Sequence, residues 1–295
     1  MDSPAPSSSI EVGMVGLGRM GGPIARRLQA GGWQVVGVDV SPAAREQAQA
    51  LGVKAGSELS ALAEVGVVMT SLPNTSEVET VYLGKSGLFE LLSPGSLCVD
   101  LSTISVGASR RVAAEAAKAG IDFLDAPVSG TSLHAEEGTL AVMAGGDEAA
   151  FARAVPYFRA FARSFHYLGG PGAGLTVKLI SNRLLTSVLV ALAESIAEIE
   201  AADLQMEVAL EALRAGAVPR LLEYKAEPMA QRDFTPRFTV DLMTKDLGLA
   251  AELFPPGALA AVSEAILLEA QAAGYGAADI GTVIEVITSP GLRTM

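Results

Sequence analysis

The sequence predicts an α/β fold in two parts: a doubly wound parallel sheet, then an all-α domain joined to it by a long helix. Three observations predict it. Over residues 10–169, short β-branched runs alternate with helix-length stretches, the rhythm of a parallel sheet with helices on both faces. From residue 174 onward the strand signal disappears and apolar residues recur at spacings of three and four. Between the halves lies GGPGAG, residues 169–174, where glycines around Pro171 break both patterns. The expected organisation is a disordered leader at 1–9, a sheet domain at 10–172 and a helical domain at 173–295.

The first strand, IEVGMVG, runs into VGLGRMGGPIARRL, which carries Gly16, Gly18 and Gly21 as GxGxxG and opens the helix of Ala25 and Leu28. In that setting the first glycine permits a tight turn and the second lets a pyrophosphate approach the backbone. The third lets helix and strand pack closely, while the helix N-terminus supplies positive potential. The second strand, WQVVGVDV, ends in Asp39, eighteen residues past Gly21, where a carboxylate can accept from a ribose 2′-hydroxyl. Strand, glycine loop, helix, strand and acid in this order mark a Rossmann-type dinucleotide site. Asp39 would repel a 2′-phosphate, and Val40 and Ser41 after it supply no arginine, so NAD is expected over NADP.

The third, fourth and fifth strands are VGVVMTSLP, SLCVDLS and IDFLDAPV, followed by TLAVMAGG and FHYLG. Ligands of a doubly wound sheet bind beyond the carboxyl ends of its strands. Here those ends read SLPN, DLST and DAPVSGTS, rich in small, hydroxyl, Gly and Pro residues that let a ligand come close to backbone N–H groups.

The helical half opens with GAGLTVKLISN, and its apolar period continues through LLTSVLVALAESIAEIEAADL with no Gly or Pro over residues 175–204. Further helices are expected in MEVALEALRAG, DLMTKDLGLAAELF and ALAAVSEAILLEAQAAG. Lys178 and Asn182 stand four apart on one face, on the stripe of Leu175, Leu185 and Leu189. A buried amine is costly to desolvate, so Lys178 either snorkels to water or is used by the fold. Only six residues of the chain are lysine.

Half of the 295 residues are apolar, enough for a sizeable core. A net charge of -12 argues against nucleic-acid binding, because phosphate neutralisation needs a basic face. The single cysteine, Cys98, excludes an internal disulfide and a cysteine-cluster metal site, and fits a reducing cytoplasm. The leader MDSPAPSSS has neither a basic nor an apolar region and does not read as a signal peptide. The longest apolar run, residues 184–193, falls short of the roughly twenty residues that a membrane span needs. Of the two histidines, His134 follows the fifth strand end and His166 lies in FHYLG; neither has an evident orienting carboxylate.

Four segments in order resemble the β-hydroxyacid dehydrogenases, the 3-hydroxyisobutyrate dehydrogenase group related to 6-phosphogluconate dehydrogenase. GLGRMG is similar to the family's cofactor signature, DAPVSG to its substrate loop, GAGLTVKLISN to its catalytic helix, and FTVDLMTKDLGLA to its FxxxLxxKDLxLA segment. The resemblance implies that Gly16, Leu17, Gly18, Met20 and Gly21 with Asp39, Leu72, Pro73 and Thr103 hold the dinucleotide. Lys178 would be the general acid and base. Ser129 with the Gly130 and Thr131 backbone would bind the substrate's acidic group, and Asn182 would orient the substrate. Lys245 would close over the nicotinamide, with Asp246 as its charge partner. Lys178 would then border a cleft between domains, where desolvation and a nearby cation lower its pKa from about 10.4 toward a useful range. Asp125 in FLDAP reads as structural.

The implied activity is NAD-dependent hydride transfer between nicotinamide and a small 3-hydroxy acid or its semialdehyde, with no metal. The loop departs from the family's usual SGG, reading SGTSLHAEEGTL. Its TSxxAxxGTL form resembles the branch that reduces sulfolactaldehyde and succinic semialdehyde, yet that branch carries an arginine where this chain has Gly130. A non-catalytic dinucleotide-binding module would lack Lys178, and an imine reductase would carry a different residue there. The long helix, through Leu192, Ile196 and Ile199, and the apolar stretch 258–273 need cover, so a homodimer or homotetramer built through the helical half is expected.

Overall fold

The computed structural model describes residues 11–215 and 225–289. The expected leader and Ile10 lie outside the described residues. The chain divides into two compact units, one up to Lys178 and the other from Leu179.

In the first unit, strands β1 (Glu11–Val15), β2 (Gln34–Val38), β3 (Lys54–Gly56), β4 (Val67–Thr70), β5 (Leu97–Asp100) and β6 (Asp122–Asp125) lie in the order β3-β2-β1-β4-β5-β6. Every neighbouring pair among them is parallel. The order reverses between β1 and β4, which opens a crevice at their carboxyl ends. Central strands β4 and β5 are buried at every residue, which is why they read as unbroken apolar runs rather than alternating ones. Strand β3 went unseen because KAG has no apolar signature.

Beyond β6 the sheet is mixed, which corrects the all-parallel expectation. Strands β7 (Val128–Ser129) and β8 (Leu140–Gly146) are antiparallel, as are β6 and β8, while β9 (Ala162–Tyr167) runs parallel to β8. Chain length explains the reversal. Only residues 130–139, with the short helix α6 (Ser132–Glu137), join β7 to β8, and a parallel crossover needs a dozen or more.

Helices α1 (Gly21–Ala30), α2 (Pro42–Ala50), α3 (Thr75–Leu83), α4 (Leu88–Leu91), α5 (Val106–Lys118) and α7 (Glu148–Phe161) cover the sheet. The first buries Gly21, Ile24, Ala25 and Leu28, the stripe that helical spacing dictates. The core joins Met14, Leu28, Val99, Leu124, Phe158 and Phe161.

Helix α8 (Ala173–Ala201) is followed by α9 (Met206–Arg214) and by helices Val240–Leu253 and Ala258–Ala270. It stops three residues before the expected end. Asp203 adopts φ 54°, its N–H meets the Glu200 carbonyl, and the Leu204 N–H meets that of Ile199, a Schellman closure with aspartate in glycine's usual place. The core of the second unit includes Leu189, Ile196, Met243, Leu247, Leu267 and Ile284. Among the described residues no helix is long and apolar enough to cross a membrane, and no three His, Cys, Asp or Glu side chains are grouped to hold a metal ion.

Candidate active site

The three glycines of the β1–α1 loop each have a separate steric reason. Gly16 sits at φ 88°, and a Cβ there would lie 2.2 Å from the Ser71 carbonyl oxygen. At Gly21 a Cβ would lie 1.9 Å from the Gly16 oxygen, so the helix could not start against the strand. Around Gly18 a Cβ would meet nothing within 4 Å, which leaves the loop backbone open to a pyrophosphate. Leu17 is buried and Met20 packs against the core beneath the loop.

At the end of β2, the Asp39 carboxylate accepts from Leu17 N and Ser41 N, both at 2.7 Å, and so ties the glycine loop to the second strand. A carboxylate has about four lone-pair sites, so acceptor capacity for a ribose hydroxyl remains. These residues fit a dinucleotide. One neighbour was missed in the sequence: Arg45 returns from α2, and its Nη1 donates to the Asp39 and Val40 carbonyl oxygens at 2.8 and 3.0 Å.

The loops after β4 and β5 are stitched together. Leu72 N donates to Ser102 Oγ at 2.8 Å, and Ser105 N to Thr75 Oγ1 at 3.2 Å. Below them Asp100 Oδ1 accepts from Thr70 Oγ1 at 2.8 Å and Ser102 N at 3.1 Å, and Thr70 also meets the Tyr82 hydroxyl at 3.0 Å. This network holds the loops that carry Leu72, Pro73 and Thr103. Burial pushes the Asp100 carboxyl up to about 6, and it raises the neighbouring Cys98 thiol far out of the reactive range.

In the DAPVSGTS segment, Ser129 ends β7, opposite Ala141. Gly130 lies at φ 133°, and a Cβ there would come within 2.7 Å of Leu140 Cδ2 and 3.0 Å of His134 Cβ. Thr131 caps α6: its backbone N–H donates to His134 Nδ1 at 3.1 Å, and its hydroxyl lies 2.9 Å from the same nitrogen. The neutral imidazole therefore carries its proton on Nε2. The Thr131 N–H expected to meet the substrate is thus engaged by His134.

Lys178 is buried, only 7 % exposed. One turn further along α8, Asn182 is 2 % exposed. Within the second unit, Asn182 Nδ2 donates to Asp246 Oδ2 at 2.6 Å, and Lys245 Nζ lies 3.1 Å from Asp246 Oδ1. Asp246 is therefore more than a local partner of Lys245, because it also fixes the Asn182 amide. No sequence signal announces this, since the two residues are 64 apart.

Comparison with known proteins decides the family. Residues 11–169 match the NAD-binding domain of 6-phosphogluconate dehydrogenase, and residues 172–287 match the NAD-binding domain of NADP-dependent 3-hydroxyisobutyrate dehydrogenase. The chain belongs to the β-hydroxyacid dehydrogenase family. It is similar to 2-(hydroxymethyl)glutarate dehydrogenase of Eubacterium barkeri, with 34% identity over 94% of this chain and 95% of that protein. To the NAD-dependent L-serine dehydrogenase of Pseudomonas aeruginosa it is 35% identical over 92% and 96% of the two chains. The crystal structure of 3-hydroxyisobutyrate dehydrogenase from Salmonella typhimurium superposes with a TM-score of 0.85 at 33% identity, covering 94% of this chain and all of that one. As a β-hydroxyacid dehydrogenase, the chain is an oxidoreductase that takes a nicotinamide dinucleotide. All four sequence motifs lie inside the matched regions.

Proposed function

We propose that this β-hydroxyacid dehydrogenase interconverts a small 3-hydroxy acid and its semialdehyde, with Lys178 exchanging the hydroxyl proton. The observation that carries this reading is the burial of Lys178 on α8, one turn from Asn182, which is buried too. Of the two histidines, His134 serves the α6 cap through Nδ1, and His166 lies on β9. When bound, the nicotinamide accepts or supplies the hydride.

Around that chemistry the chain's own residues bind and orient. The Ser129 hydroxyl and the Gly130 backbone meet the acidic group, Asn182 orients the substrate oxygen under the hold of Asp246, and Lys245 acts at the nicotinamide. A carboxylate is favoured over a sulfonate. Gly130 stands where the sulfolactaldehyde branch has arginine, and its positive φ and the crowding by Leu140 and His134 oppose any side chain there. Asp39 favours NAD over NADP by accepting from a ribose hydroxyl and repelling a 2′-phosphate. The buried, unreactive Cys98 suits the reducing cytoplasm proposed for this enzyme.

The test is a screen of short 3-hydroxy carboxylates and their sulfonate analogues with NAD and NADP, read by the absorbance of reduced nicotinamide. Turnover of a carboxylate with higher kcat/KM for NAD is expected. Turnover of sulfonates alone would defeat the substrate assignment, and equal kcat/KM for the two cofactors would defeat the ribose argument.

A further inference from the structure

Helix α8, which carries Lys178, begins at Ala173 with no capping side chain of its own. The residue at the cap position is Gly172, at φ 87°, where a Cβ would lie 2.8 Å from Val106 Cγ1 and 2.9 Å from Arg110 Nε. A helix start of this kind leaves N–H groups that something else must satisfy. One is met by a backbone carbonyl, Ala173 N by Gly170, while Thr176 N makes the first ordinary helical bond, to the Gly172 carbonyl. The N–H of Leu175, the one a capping side chain would normally take, instead donates to Asp125 Oδ2 at 2.9 Å, and Gly172 N donates to Asp125 Oδ1 at 2.6 Å.

Asp125 comes from the end of β6, 47 residues before Gly172, and is 1 % exposed. The surroundings are shaped for it. A Cβ at Gly145 would lie 2.8 Å from each of Asp125 Oδ1, Ala173 N and Gly174 N. One at Gly174 would lie 2.2 Å from the Met143 carbonyl oxygen and 3.0 Å from Asp125 Oδ2. With glycine at both positions, the first turn of α8 rests directly on the ends of β6 and β8. The same Asp125 opens the DAPVSGTS segment, so one residue anchors both the loop that holds Ser129 and the helix that holds Lys178.

We infer that Asp125 is a positioning residue for catalysis: by capping α8 from the end of β6, it sets where Lys178 stands relative to the Ser129 loop. Lys178 lies three residues beyond the Leu175 N–H that Asp125 holds, so a shift of the first turn is carried directly to the amine. Burial works against the ionised carboxyl, and the Leu175 and Gly172 N–H groups oppose that penalty, so cap and carboxylate sustain each other.

The inference rests on Lys178 as the proton-exchanging group, and the experiment separates the two. Asp125→Asn, Asp125→Ala, Gly145→Ala and Lys178→Ala are assayed in the full chain, at a temperature where circular dichroism shows each folded, with NAD affinity measured by calorimetry. Asparagine keeps one acceptor, so kcat is expected to fall in the order wild type, Asp125→Asn, Asp125→Ala. The alanine variant should lose about 10²-fold, the scale of an ångström misplacement, with NAD affinity unchanged. Gly145→Ala leaves the carboxylate intact but wedges the first turn away from β8, so it should show the same selective loss of kcat. If the aspartate variants do not fold, Gly145→Ala decides alone.

A merely structural cap would lower Tm and leave the kcat of folded enzyme at the wild-type value. That result, with Lys178→Ala inactive, would overturn the positioning role and leave the proton assignment standing. An active Lys178→Ala would overturn the assignment itself.

Discussion

Asp100 shows most directly how a single buried group ties stability to pH. Desolvation raises its carboxyl from 3.8 to about 6, against the hydrogen bonds from Ser102 and Thr70. A carboxyl whose folded pKa is raised binds its proton more tightly folded than unfolded. Its contribution is therefore fully present below about pH 4 and is lost as pH rises through about 6. Asp100→Asn cannot ionise, so its stability relative to wild type should be greater at pH 8 than at pH 4, by on the order of 3 kcal/mol. Urea unfolding at the two pH values measures this; a difference independent of pH would contradict the burial account. The residues legible from sequence were those whose work is local, such as Gly16 and Gly21 in the turn and Asp39 at a strand end. The hold of Asp246 on Asn182 was not, because the two are 64 residues apart, and Arg45 was missed because a side chain that reaches back to carbonyls five and six residues away leaves no pattern in the sequence.

Among the elements, α6 is the one whose cap bears on the substrate binding proposed for the loop at residues 129–131. His134 occupies the position that glutamate or glutamine holds in a capping box, and its ring nitrogen takes the Thr131 N–H. His134→Leu removes that acceptor and should cost about 1 kcal/mol of stability while raising KM for the hydroxy acid more than it lowers kcat. His134→Asn, which keeps an acceptor, should stay closer to wild type. Leucine behaving like histidine in both unfolding and KM would show that the cap does not shape the loop. The long strands and helices were readable because their apolar periods are strong. The short β3 and β7 carry no period, and the antiparallel return of β8 follows from connection length, which pattern alone does not weigh. The buried pair of Lys225 and Asp279 escaped notice for another reason, since their 54-residue separation is closed only by the fold.

At the scale of the whole molecule, the expectation of association changes its footing. Leu192, Ile196 and Ile199, which were to need a partner, are at most 8 % exposed and lie in the core of the second unit. Other apolar residues of that unit stay open: Ile180 and Leu184 on α8 at 50% and 65%, and Leu259 and Val262 on the helix Ala258–Ala270 at 69% and 59%. We propose that a second copy covers them, as a C2 dimer. Light scattering should give a mass above the 30.3 kDa of one chain at micromolar concentration, and Leu184→Glu with Val262→Glu should return it to that value. A wild-type monomer would contradict association. If the glycine loop binds the cofactor while Lys178 moves the proton, one comparison tests that division of labour most directly: kcat and NAD affinity of Lys178→Ala against wild type. Loss of at least about 10²-fold in kcat, with NAD affinity unchanged, is the result predicted for a group that acts in general acid-base catalysis. A variant that keeps more than about half of wild-type kcat would remove Lys178 from the chemistry and contradict the account.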